Sequence, residues 1–139
     1  MSFVPAPRTE RGAEKNAPGA LRLRTTSPAP GVVVLETAGI LDMNSATHFA
    51  EALRTHLSAA TGTAVLDLSG LSFLSTHGAV VLLEAAHRAL MHRAHLVLIS
   101  QNRIVDRLLE MLDVADRFTY ATTVDEAIGL VGSETPVLR

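Results

Sequence analysis

Three of the 6 His of this chain crowd into "HRALMHRAHLV", at His87, His92 and His95, and imidazoles at short spacing are the usual start of a zinc site. Positions 87 and 92 lie about 140° apart around a helix of 3.6 residues per turn. His92 and His95 share a face only if a helix runs through residue 95, where "HLVLIS" reads as a strand. No carboxylate stands at ligand spacing, so solvated or helix-terminal imidazoles are the better reading, and no metal is expected. Thr76 beside His77 in "LSFLSTHGAVV" pairs a hydroxyl with a base. Nucleophilic catalysis also needs an orienting acid, and adjacent residues at a turn point apart. Neither a Gly-x-Ser-x-Gly elbow nor a Walker lysine nor a dinucleotide fingerprint occurs. No catalytic residue, enzymatic activity or cofactor is expected.

Two acids and one hinge remain. Asp42 in "GILDMNS" and Asp67 in "VLDLSG" each sit where a strand is expected to end, and open α/β sheets place binding residues at such ends. Both carboxylates also suit a purely structural role, holding turn or loop amides. In "FLSTHGAVV", Ser75 or Thr76 suits the N-cap of the helix that follows. A hydroxyl there is equally well placed for phosphorylation. The free N–H groups and the macrodipole accommodate the added charge of about −1.5 to −2.

The elements that position these residues follow from composition and period. A chain of 139 residues with 47% hydrophobic residues suits one domain with one core. Aromatic residues are 4% with no Trp, net charge is −2 and the pI is about 6.3. That profile disfavours direct nucleic-acid binding, which needs a basic stripe or stacking platforms. Cys is absent, which removes disulfides and thiolate metal sites. No run is long enough to span a bilayer or resembles a signal peptide, so no membrane association and a cytoplasmic location are expected.

Residues 1–19 mix Pro, Ala, Gly and both charge signs without period and read as a disordered tail; residues 132–139 read as a C-terminal one. Between them, 20–131 form a single domain. "LRLRTT", the turn chemistry of "SPAPG" and "VVVLET" make a β-hairpin. Phe49, Leu53 and Leu57 recur at helical spacing, with Asn44 or Ser45 able to cap that helix. "TGTAVLDLSG" reads as a strand covered on both faces. A helix over "GAVVLLEAAHRALMHRA", the strand "HLVLIS", and a helix with Ile104, Leu108 and Leu112 on one face follow. "DRFTYA" gives a short last strand, and the spacing of Thr123 and Glu126 starts a final helix. This alternation predicts an α/β fold with a partly parallel sheet.

The segments "VVVLETAGILDMNSATHFAEAL", "AVLDLSGLSFLSTHGAVVLLEAA" and "HLVLISQNRIVDRLLEMLDVADRF", in this order, resemble the STAS domain, whose stand-alone members are bacterial anti-sigma factor antagonists. The likeness runs from about Leu21 to Val131. It implies a mixed β-sheet of about four to five strands with helices packed against it, and no catalysis by the domain. It also implies a function in transcription regulation: binding an anti-sigma factor of the serine/threonine kinase type, which frees a sigma factor. The kinase marks the antagonist and a phosphatase reverses the mark.

The family's turn commonly reads Asp-Ser-Ser-Gly or Asp-Ser-Thr-Gly, with the phosphoacceptor directly after the Asp. On that pattern Thr76 is the phosphoacceptor and Gly78 keeps the Gly. Ser75, the lesser candidate acceptor, replaces the Asp, and His77 replaces the second hydroxyl residue. The partner-binding surface is expected to comprise Asp42, Asn44 and Ser45 with Ser75, Thr76, His77 and Gly78. The alternative is a STAS-domain scaffold or ligand-sensing subunit of another signalling or lipid-transport assembly. A monomer or weak homodimer is expected.

Overall fold

A computed structural model of the chain describes residues 21–59 and 62–134. The N-terminal tail expected over 1–19 lies outside the described residues, as does the stretch 135–139. The order is β1 (Leu21–Ala29), β2 (Val32–Leu41), α1 (Ala46–Ala59), β3 (Thr63–Leu74), α2 (Thr76–Met91) and β4 (His95–Ile99). Then come α3 (Arg103–Met111), a 3-10 turn (Ala115–Arg117), β5 (Thr119–Ala121) and α4 (Val124–Glu134), which runs past residue 131. The strands form one five-stranded sheet in chain order, with β1 antiparallel to β2 and every other neighbour parallel. This is the mixed α/β sheet that the alternating pattern predicts.

The hairpin turns at Pro30 and Gly31, where Gly31 takes a φ of 78° that a side chain would resist. Ser27 and Pro28 belong to β1 and not to the turn; β1 is an edge strand and its register shifts between Thr26 and Ala29, so a proline is tolerated there. Helices α1, α2 and α3 cover one face of the sheet. Phe49, Leu53, Leu57, Leu82 and Leu109 meet Leu35, Leu66 and Leu98 there. On the other face, α4 lays Ala127, flanked by Val124 and Ile128, over Val34, Val65, Val97 and Ile99. The central strand β3 is therefore buried on both sides, as its apolar run requires.

The end of β3 departs from simple alternation. Its pairing with β2 shifts between Glu36 and Ala38 and again between Gly39 and Ile40, and each shift inserts one extra residue into β3. Core leucines consequently fall at Leu66, Leu68, Leu71 and Leu74, spaced by two and then by three. The second bulge turns Phe73 outward, where it is 49% exposed.

Asn102 holds this bent end. Its Nδ2 donates to the Leu71 carbonyl at 2.8 Å and the Leu68 carbonyl at 3.1 Å, while its Oδ1 caps α3 by accepting the Ile104 N–H at 3.0 Å. Anchored in this way, α3 buries Val105 and Leu109, while Ile104 and Leu112, of the stripe read from the sequence, are 43% and 37% exposed and Leu108 packs against the core. At the last helix, Thr123 Oγ1 caps by accepting the Glu126 N–H at 3.0 Å. The Glu126 carboxylate reaches the Thr122 amide and hydroxyl, one residue earlier than a strict capping box, and these bonds hold it below the usual carboxylate range.

Candidate partner-binding site

Parallel pairing brings the two candidate turns together. Leu41 and Leu74, the last residues of β2 and β3, are register partners, so the chain leaves both strands at the same end of the sheet. The Ser75 backbone N–H donates to the Leu41 carbonyl at 2.9 Å and joins the turns directly. Beyond that bond, α1 and α2 start side by side.

Each turn is closed by its own polar side chains. Asp42 Oδ1 accepts the N–H groups of Asn44 and Ser45 at 2.9 and 3.2 Å, the structural role foreseen for a turn aspartate. Ser45 Oγ donates to the Ile40 carbonyl at 3.0 Å and accepts the Asp42 N–H at 3.1 Å. Its hydroxyl therefore closes the turn and leaves α1 without a side-chain cap from that residue, although the Ser45 carbonyl accepts the Phe49 N–H. Ser75 is the N-cap of α2, with extended backbone (φ −92°, ψ 170°) and its Oγ accepting the Gly78 N–H at 3.2 Å. Thr76 and His77 open α2 and are exposed, as is Asn44.

Gly78 is buried beneath them. A Cβ there would lie 2.7 Å from Leu41 Cγ and 2.7 Å from Leu74 Cδ1. The glycine lets α2 start in contact with the strand ends, and this close approach sets the height at which Thr76 and His77 stand.

The sequence profile of the STAS domain matches residues 25–127, most of the chain and all of this geometry. The chain belongs to the STAS domain family. Among solved structures, an anti-sigma factor antagonist from Mycobacterium paratuberculosis has a TM-score of 0.73 at 21% identity, covering 84% of this chain and 97% of that one. The phosphorylated form of SpoIIAA, a Bacillus cell fate determinant, gives a TM-score of 0.61 at 18% identity, covering 78% and 98%. A serine-to-glutamate variant of RsbS from Moorella thermoacetica gives 0.67 at 20%, covering 83% and 98%. At these identities the likeness establishes the shared fold. No curated protein sequence matches the chain significantly.

In this STAS domain the hinge borders a groove of about 470 Å³ between α1 and α2. Thr76 and His77 stand on its lip, Ala46, Ala50, Val80 and Val81 line its floor, and Arg54 and Glu84 flank it further along. Val80 is 46% exposed. Two apolar side chains flank the hinge itself, Met43 at 63% and Phe73 at 49% exposure. Neither stands out in the sequence. Met43 is one apolar residue in a polar turn, and strict alternation from Leu71 would point Phe73 into the core.

Other candidates lie elsewhere. Asp67 is not at a strand end, since β3 continues to Leu74; its Oδ1 accepts the Ser69 N–H and hydroxyl at 3.0 and 2.7 Å. It lines a separate depression with Arg22, Arg24 and Glu36, the last two forming an ion pair at 3.8 Å. Helix α2 ends at Met91 with His92 as its C-cap, and His95 opens β4, so the histidine cluster is split between elements. Among the described residues no group of three His, Asp or Glu is arranged to hold a metal ion.

His56, on α1, is buried at 3% exposure. Its Nε2 lies 3.3 Å from the Val65 carbonyl, to which its N–H donates, and its Nδ1 has no partner. Burial pushes its pKa down to about 4, against smaller opposing effects from backbone contacts.

Proposed function

We propose that this STAS domain is an anti-sigma factor antagonist, switched by phosphorylation of Thr76. It binds an anti-sigma factor of the serine/threonine kinase type in the cytoplasm and so frees a sigma factor; a phosphatase restores it. The observation that carries the reading is the contrast between two adjacent hydroxyls at the start of α2. Thr76 is exposed on the lip of the α1–α2 groove, whereas the Ser75 hydroxyl is engaged with the Gly78 N–H. A phosphate on Thr76 would meet the unpaired first-turn N–H groups of α2, so it adds charge to the surface without unfolding the helix.

The seven residues divide by task. Asn44, Thr76 and His77 offer exposed groups to the partner, together with Met43 and Phe73. Asp42, Ser45, Ser75 and Gly78 fix the two turns that present them. The solved structures described as anti-sigma factor antagonists support this reading through their common fold.

The test is incubation with candidate anti-sigma factor kinases and ATP, followed by mass spectrometry of the peptides. A single phosphate on Thr76 is expected. A phosphate on Ser75, or none with any kinase that binds the domain, defeats the assignment.

A further inference from the structure

We propose that the N-terminal segment of this chain seats Phe3 and Val4 on the apolar tip formed by Ile40, Phe73 and Met43, and so shields the partner-binding end of the domain. The seating is independent of the proposed function; only the shielding of a partner rests on it. Ile40 and Phe73 are register partners, and each directly precedes a leucine, Leu41 or Leu74, whose side chain enters the core under α1, α2 and α3. Alternation therefore turns both toward the opposite face of the sheet. The helix on that face, α4, covers an apolar cluster that ends at Val34 in β2 and Val65 in β3, so the tip lies outside it. Phe73 is 49% exposed, Ile40 is half-buried, and Met43 in the adjoining turn is 63% exposed. Below the tip the sheet turns polar, with Arg22, Arg24, Glu36 and Asp67 around one depression. An apolar segment finds its match at the tip and not lower on the sheet.

The topology of β1 supplies the occupant. This strand runs antiparallel to β2 and begins with Leu21 beside Gly39, so the chain enters the sheet one residue from Ile40. Strands lie about 4.8 Å apart, which puts Phe73, two strands over, roughly 10 Å from Leu21. The preceding segment, "MSFVPAPRTERGAEKNAPGA", carries Phe3 and Val4 near its start and no other Phe, Val, Leu or Ile. A linker from Phe3 to Leu21 has a root-mean-square span of about 23 Å. The tip is well inside that radius, and the tether holds Phe3 there at an effective concentration on the order of millimolar. Leu90 and Met91, exposed at 76% and 69%, stand instead at the far end of α2, a 16-residue helix about 24 Å long that starts at the hinge. Because the tip adjoins the hinge, a segment seated there competes with any partner that uses Met43 and Phe73.

The chain contains no Cys, so Ala6→Cys gives a single attachment point for a nitroxide on the 15N-labelled whole chain. The amides of Ile40, Ser72 and Phe73 should broaden at least about twofold more than those of Leu90 and Met91. Phe3→Ser with Val4→Ser should remove most of that excess, as should Phe73→Ser, an exposed change whose folding circular dichroism checks. The same broadening with and without Phe3 and Val4, or broadening centred on Leu90 and Met91, overturns the seating. In calorimetric titration with an anti-sigma factor, the Phe3→Ser, Val4→Ser protein should bind about threefold more tightly than the parent, as for a tip occupied about two-thirds of the time. Equal or weaker binding overturns the shielding. If the label marks the tip and no anti-sigma factor binds, the seating stands and the functional reading falls. If the factor binds and the label marks nothing at the tip, the reverse holds.

Discussion

Gly78 sits under the Leu41 side chain so closely that a β-carbon on it would lie 2.7 Å from Leu41 Cγ. The contact joins the start of α2 to the end of β2, the strand whose last carbonyl also accepts the Ser75 N–H. Packing and hydrogen bonding therefore fix one relationship, the height of the α2 N-terminus above the Asp42 turn.

Gly78→Ala tests the packing half. Alanine is the better helix former by about 1 kcal/mol, yet overpacking against Leu41 and Leu74 should cost about 1–3 kcal/mol. Urea unfolding should show a net loss of stability. A gain would mean that the two leucines repack freely and that the close approach sets nothing.

Ser75 supports a second prediction. Ser75→Ala removes the cap and should destabilise the domain by about 1 kcal/mol. Ser75→Asp keeps an N-cap acceptor and introduces a carboxylate directly before Thr76. It should leave stability near the parent's and raise the rate of Thr76 phosphorylation by a given kinase. An unchanged rate would show that the kinase does not read the residue before the acceptor.

His56 makes stability depend on pH. Its folded pKa, about 4, lies below the ordinary value of 6.5, so below pH 6.5 the unfolded chain takes up a proton that the folded one excludes. This contribution is absent above pH 6.5 and grows as pH falls, reaching roughly 3 kcal/mol of lost stability near pH 4. His56→Leu, which also removes an orphaned buried nitrogen, should flatten the stability profile between pH 6.5 and 4. Parallel profiles for the two proteins would contradict the assignment.

Much of the fold was legible because period and burial agree. Phe49, Leu53 and Leu57 recur at helical spacing and are all buried, and the apolar run of β3 is covered on both faces. The reading failed where a side chain overrides local pattern. Asn102 bonds carbonyls some thirty residues away at the β3 bulge, and this long-range anchor turns α3 to bury Val105 instead of Ile104. The same bulge exposes Phe73, since a one-residue insertion reverses which side chains face the core. At the site, the residue types around Thr76 marked the hinge. Which hydroxyl is engaged and which is free depends on the cap geometry, and spacing alone does not fix that.

The central claim is that negative charge at Thr76 switches partner binding off. Its most direct measurement is calorimetric titration of a cognate anti-sigma factor into the parent, Thr76→Ala and Thr76→Glu proteins. Thr76→Ala should bind within about threefold of the parent, and Thr76→Glu about tenfold or more weakly, through charge placed in the interface. Equal affinity for all three proteins would contradict it.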